Sequence, residues 1–168
     1  MKYKFLIILF YYNRPQMVKN ALLSIKYSDF YYDNWKLLFV DDGSPLSGKE
    51  ILYEILRGCE NKIEYINTNS TEEIKFDLGG SLIGKYANDE LQKTDCDYAI
   101  MLCDDDALYP QYLYNLNDHF NKNSNDISVY CKNTTLVYPH GWDCDQCVVG
   151  KNIIEHIKTI FRKINEAN

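Results

Sequence analysis

Residues 98–106 read YAIMLCDDD, an apolar run that ends in three adjacent carboxylates, Asp104, Asp105 and Asp106. A short continuous apolar stretch that stops at polar residues is what a parallel strand covered on both faces requires. Three neighbouring carboxylates repel one another unless a cation or solvent relieves them. An isolated triplet of this kind is more often a solvated turn capping the next helix. At the carboxyl end of a strand it becomes a candidate ligand set for a hard divalent ion such as Mn²⁺ or Mg²⁺.

The same pattern recurs on the N-terminal side. FLIILFY at 5–11 is a second apolar run, punctuated by Asn13-Arg14-Pro15, and Met17, Ala21, Leu22 and Ile25 then recur at helical spacing over 16–27. Residues 37–40 predict another strand, which ends in the turn signal Asp41-Asp42-Gly43-Ser44-Pro45. Ile51, Ile55 and Leu56 mark a helix closing near Gly58, and 63–66 a short strand. Residues 68–78 read as a polar loop, with Gly79-Gly80 leading into a helix over 81–93. Beyond the triplet the pattern predicts a helix over 110–121, a strand over 127–131 and an irregular stretch over 134–146. A last helix then presents Ile153, Ile154, Ile157, Ile160, Phe161 and Ile164. Strands alternating with helices imply an α/β domain with a mostly parallel sheet and helices on both faces. In such sheets ligands bind outside the carboxyl ends of the strands. Tyr12-Asn13, Asp41-Asp42 and Asp104 to Asp106 all fall there.

Composition bounds the partners. The 168 residues suit one domain, and 46% hydrophobic content with fifteen tyrosines is that of a folded chain. The formal net charge is −6 and no basic stripe is visible, which argues against unaided nucleic-acid binding. The apolar run at 5–12 is too short to span a bilayer and lacks a small-residue cleavage site, so a buried strand is expected rather than a leader. With six mostly scattered cysteines, a reduced, cytoplasmic setting is expected. Lys151, Lys158, Arg162 and Lys163, opposite the isoleucines of the last helix, leave peripheral membrane contact open, although amphipathic helices usually face their own core.

Other constellations say less. Cys144 and Cys147 with His140 offer part of a zinc site, but a structural zinc takes four protein ligands and no second CxxC pair exists. Lys85, early in its helix, is either a phosphate contact or a solvated lysine. Tyr12 is either a stacking face or an ordinary aromatic. Gly79, Gly80 and Gly84 make neither a dinucleotide fingerprint nor a P-loop.

In their order and spacing, FLIILFYYNRP, LLFVDDGSP, the Gly-rich helix running to Asn88 and DYAIMLCDDDALYPQYL resemble the family 2 glycosyltransferases of the GT-A fold, over about residues 4–131. The resemblance implies a single nucleotide-sugar-binding domain over 1–168, with a short acceptor part at about 132–168. It implies that the backbone of Phe10 and the side chain of Tyr12 hold the nucleobase and that Asp42 contacts the base. Asp105, five residues before Pro110, then binds the metal. Its neighbours Asp104 and Asp106 serve the ribose, the sugar or metal-bound water, which sets Asp104 with the nucleotide ligands, beside Lys85, and Asp106 with the metal. The implied activity is inverting transfer of a sugar from a nucleoside diphosphate, UDP for preference, to a hydroxyl of a glycan, lipid or protein. Two departures stand out. Ala87 replaces the arginine the family places before the helix asparagine. No residue matches the family's general base, for which Asp143 and Asp145 are the candidates. A non-catalytic or partner-dependent donor-binding module is one alternative. A sugar-phosphate nucleotidylyltransferase is another, which YYNRPQ disfavours by lacking a glycine-rich basic loop.

Overall fold

The computed structural model describes residues 1–77, 83–123 and 161–163. Strands β1 (Phe5–Tyr11), β2 (Trp35–Asp41), β3 (Ile63–Asn67) and β4 (Tyr98–Cys103) are parallel, and β5 (Phe161–Lys163) pairs antiparallel with β4. The spatial order is β3-β2-β1-β4-β5. The chain therefore steps outward from β1 through β2 to β3, then returns to the opposite side of β1 for β4. Between β1 and β4 lies the topological switch point at which open α/β sheets leave a crevice.

Side-chain alternation sorts the strands into two faces. Phe5, Ile7, Leu9 and Tyr11 of β1 point to the larger core with Trp35, Leu37, Phe39, Tyr98, Ile100 and Leu102. Helices α1 (Pro15–Asp29), α2 (Lys49–Ile55) and α5 (Tyr112–Lys122) cover that face. Pro15 starts α1, where its missing N–H costs nothing, and Val18, Ala21, Leu22 and Ile25 are its buried stripe. The Tyr98 ring stacks on Phe120 of α5 at 3.7 Å between centroids. Leu6, Ile8, Leu38, Val40 and Ala99 form the opposite, smaller core, against Ala87 of α4 (Ile83–Lys93).

Two expectations are corrected. The loop expected over 68–78 contains a short helix, α3 (Glu72–Asp77). The Thr71 hydroxyl accepts the Ile74 amide at 3.2 Å, and Glu72 and Glu73 occupy the positive end of the helix dipole. That start signal was present in the sequence. The last helix was expected to include Phe161, yet residues 161–163 are strand β5, with Ile100 opposite Phe161. Three residues are too few for periodicity to separate strand from helix, and the edge of β4 offers backbone partners to a strand. The strand expected over 127–131 and the remainder of the last helix lie outside the described residues. Among those residues, no helix is long and apolar enough to cross a membrane.

Candidate functional site

Three strand ends converge beside the switch point. At the end of β2, Asp41 is fully buried and its carboxylate accepts the amides of Ser44 (2.9 Å) and Gly48 (3.1 Å) and the Tyr65 hydroxyl (3.0 Å). Asp41 thus shapes the turn into α2. Gly48 is needed because a Cβ there would stand 2.7 Å from the Phe39 ring.

Asp42, the expected base contact, is 4% exposed. Thr68 and Ser70 donate hydroxyls to its Oδ1 at 3.1 and 3.0 Å. The Ser70 hydroxyl also reaches the Asp42 carbonyl at 3.2 Å. These contacts orient the carboxylate, and the sequence reading missed both residues. Their signal was slight: two small hydroxyls just beyond a strand.

At the end of β1, Phe10 is half-buried and packs toward the smaller core. Tyr12 is 39% exposed, and its hydroxyl donates to Glu72 of α3 at 2.7 Å. That bond pushes the phenol above its ordinary pKa, and it fixes the ring by its far end. Asn13 adopts a left-handed conformation (φ 51°), and its amide donates to the Ser44 hydroxyl at 3.0 Å, tying the two loops together.

At the end of β4 the three aspartates separate by role. Asp104 is buried, and its Oδ2 accepts the Tyr12 amide at 3.2 Å. Its Oδ1 lies 3.3 Å from Arg14 Nη1. Burial pushes the Asp104 carboxyl above the usual carboxylate range, and Asp105 adds to the rise, against the pull of the Tyr12 amide and Arg14. Asp105 is exposed, and its Oδ2 lies 3.5 Å from the same Arg14 nitrogen. One ligand atom each from Asp105, Asp106 and Cys103 lie within 4.8 Å of one another, with Asp106 buried. Two carboxylates at this spacing suit a hard divalent ion that keeps part of its water and reaches substrate phosphate. The Cys103 sulfur is too soft a donor to favour Mg²⁺.

Arg14 belongs to the cluster as well, and a cation just after β1 was its signal in the sequence. Lys85, the expected phosphate contact, is exposed on α4, its Nζ 5.9 Å from the Tyr86 ring centre. A Cβ at Gly84 meets open space, so no close approach requires that glycine. Cys59 and Cys96 are buried free thiols. Asp143, Asp145, His140, Cys144, Cys147, Gly79 and Gly80 lie outside the described residues.

The model of glycosyl transferase family 2 matches residues 6–136. A search of curated proteins finds no match. Among solved structures, S. aureus TarS 1-349 is similar with a TM-score of 0.61 and 20% identity, over 80% of this chain and 38% of that one. The same protein in complex with UDP gives 0.58 and 18%, with the same coverage. The mannosyltransferase PcManGT from Pyrobaculum calidifontis, in complex with GDP-Man and Mn²⁺, gives 0.59 and 15%, over 97% of this chain and 45% of that one. The chain thus spans less than half the length of these proteins. With a match over residues 6–136 and the GT-A arrangement of strands and helices, this chain belongs to glycosyl transferase family 2.

Proposed function

We propose that this chain binds a nucleoside diphosphate sugar, UDP-linked for preference, across the ends of β1, β2 and β4, and serves its transfer with inversion to an acceptor hydroxyl. The observation that carries the reading is the convergence at one switch point of Tyr12 and Asp42 on one side and the Asp105–Asp106 pair on the other. The Tyr12 ring offers a stacking face, held by Glu72. Asp42, oriented by Thr68 and Ser70, accepts the N–H of the base. The Phe10 backbone borders the base, and Asp104 faces the ribose. Asp105 and Asp106 would hold Mn²⁺ or Mg²⁺, and Lys85 of α4 would meet phosphate. A bound divalent ion supplies electrostatic stabilisation to a departing diphosphate. The acceptor oxygen, once its proton passes to a base, attacks the anomeric carbon as the diphosphate leaves. Asp143 and Asp145 are the candidates for that base.

A second reading is a donor-binding module that needs further protein for turnover, favoured by the chain spanning 38% to 45% of its structural neighbours. Calorimetry with UDP and GDP, each with Mn²⁺ and then with chelator, tests the common part. Binding of UDP that disappears with chelator is expected, and equal affinity in both conditions would remove the metal. Release of UDP from UDP-glucose, UDP-galactose and UDP-N-acetylglucosamine, with and without a panel of sugar acceptors, separates the two readings. Acceptor-dependent turnover above about 1 s⁻¹ favours the complete enzyme. Slow release that acceptors leave unchanged favours the module.

A further inference from the structure

We propose that Arg14 is an internal counter-cation of the aspartate cluster, which competes with the metal for Asp105 and then pairs with the diphosphate. The inference rests on the metal and nucleotide reading above. Arg14 Nη1 lies 3.3 Å from Asp104 Oδ1 and 3.5 Å from Asp105 Oδ2, so one guanidinium bridges a buried carboxylate and an exposed one. The Asp105 carboxylate it holds also belongs to the candidate metal group with Asp106. A guanidinium keeps its charge at all accessible pH values. It therefore cannot yield to a divalent ion by losing a proton, and must share the carboxylate at an electrostatic cost or move.

The structure leaves it able to move. Arg14 precedes α1, yet its side chain makes no capping bond to that helix, and the side chain is 55% exposed. The backbone carbonyl alone receives the first helical amides, from Met17 and Val18. Displacing the side chain leaves the helix start intact and costs only its pairing with Asp104 and Asp105. Asp104 keeps the Tyr12 amide when Arg14 leaves. A diphosphate arriving beside the metal brings oxygens that fit the planar fork of a guanidinium. Arg14 accordingly opposes metal binding in the absence of nucleotide and supports nucleotide binding once the metal is present.

The test uses the full chain as wild type, Arg14→Gln and Arg14→Lys. Mn²⁺ binding without nucleotide is followed by the electron paramagnetic resonance of the free ion, and UDP binding at saturating Mn²⁺ by calorimetry. Arg14→Gln is expected to bind Mn²⁺ about two- to fivefold more tightly, as loss of a half-exposed competing charge allows. It is expected to bind UDP at least about tenfold more weakly, as loss of a charge-assisted bond implies. Arg14→Lys keeps the charge without the fork, so its Mn²⁺ affinity should stay near wild type while its UDP affinity falls. Wild type that binds both ligands, with Arg14→Gln unchanged or weaker toward Mn²⁺, overturns the inference and leaves the functional reading standing. Wild type that binds no Mn²⁺ overturns both. If Arg14→Gln melts early, Arg14→Lys decides, and UDP affinity equal to wild type then overturns the inference.

Discussion

Replacing Gly43 by alanine probes how tightly the turn after β2 is clamped to the segment after β3. Gly43 has φ +69°, and a Cβ there would stand 2.1 Å from the Ser70 carbonyl oxygen and 3.0 Å from that residue's backbone carbon and nitrogen. The obstacle is backbone and cannot rotate away. An alanine in the left-handed region costs about 1–2 kcal/mol, and forcing the packed segment apart adds about 1–3 kcal/mol. Gly43→Ala should therefore lose about 2–5 kcal/mol in all, a large part of the roughly 5–15 kcal/mol that holds a domain folded. Gly58→Ala is the internal control. Gly58 also has positive φ, +91°, but a Cβ there meets nothing within 4 Å. It should lose only the conformational part, about 1–2 kcal/mol. The gain from restricting the unfolded chain is common to both variants and cancels in their difference. Urea unfolding followed by circular dichroism measures both. A second readout links the clamp to the site: Ser70 orients Asp42 through its hydroxyl, so thermal stabilisation by UDP with Mn²⁺ should fall in Gly43→Ala and persist in Gly58→Ala. Equal losses of stability in the two variants would refute the close approach of Gly43 to Ser70.

Three further outcomes are expected. Asp105→Asn should abolish Mn²⁺-dependent UDP binding while leaving the fold intact, since it removes one charge from a repelling cluster; unchanged binding by calorimetry would show that Asp105 is not a ligand. Asp41→Asn should destabilise by about 1–3 kcal/mol, because its buried carboxylate accepts two amides and a hydroxyl and an amide side chain turns a donor toward one of them; an unshifted urea midpoint would contradict that role. Stability should also fall at alkaline pH. Burial raises Cys96 from 9.0 to about 12, and burial, with nearby Asp41 and Asp104, raises Tyr11 from 10.0 to about 12. Both groups keep their protons in the fold while the unfolded chain loses them, so their contribution is complete below about pH 9 and is lost toward pH 12. Cys96→Ala should flatten the first part of that decline in a pH series of urea midpoints, and an identical slope would exclude Cys96 as a source.

Much of the architecture was legible in the chain because burial on both faces of a parallel strand leaves an apolar run that stops abruptly. Residues 98–103 and 5–11 were bounded in that way, and the three polar clusters fall at the carboxyl ends of strands, where sheets of this class bind ligands. Local signals failed where two periods compete or a cap went unread: Phe161–Lys163 answers to the open edge of β4, and Thr71-Glu72-Glu73 starts a helix inside an apparent loop. What no local pattern contained was the strand order. Hydrophobic period reports which residues are buried, and strand order is decided by which strand edges hydrogen-bond across the sheet. Only that order sets β4 beside β1, so that Arg14 meets Asp104 and Asp105 ninety-odd residues later in the chain. The same holds for Asp41 and Asp42. Adjacent in sequence and identical in chemistry, they differ because one side chain points into the turn and toward Tyr65 while its neighbour points toward Thr68 and Ser70. The sequence by itself determined an α/β domain with acidic strand ends, and the tertiary structure decided which carboxylate builds the turn and which gather at the end of β4, because only the packed sheet sets the partners of each side chain.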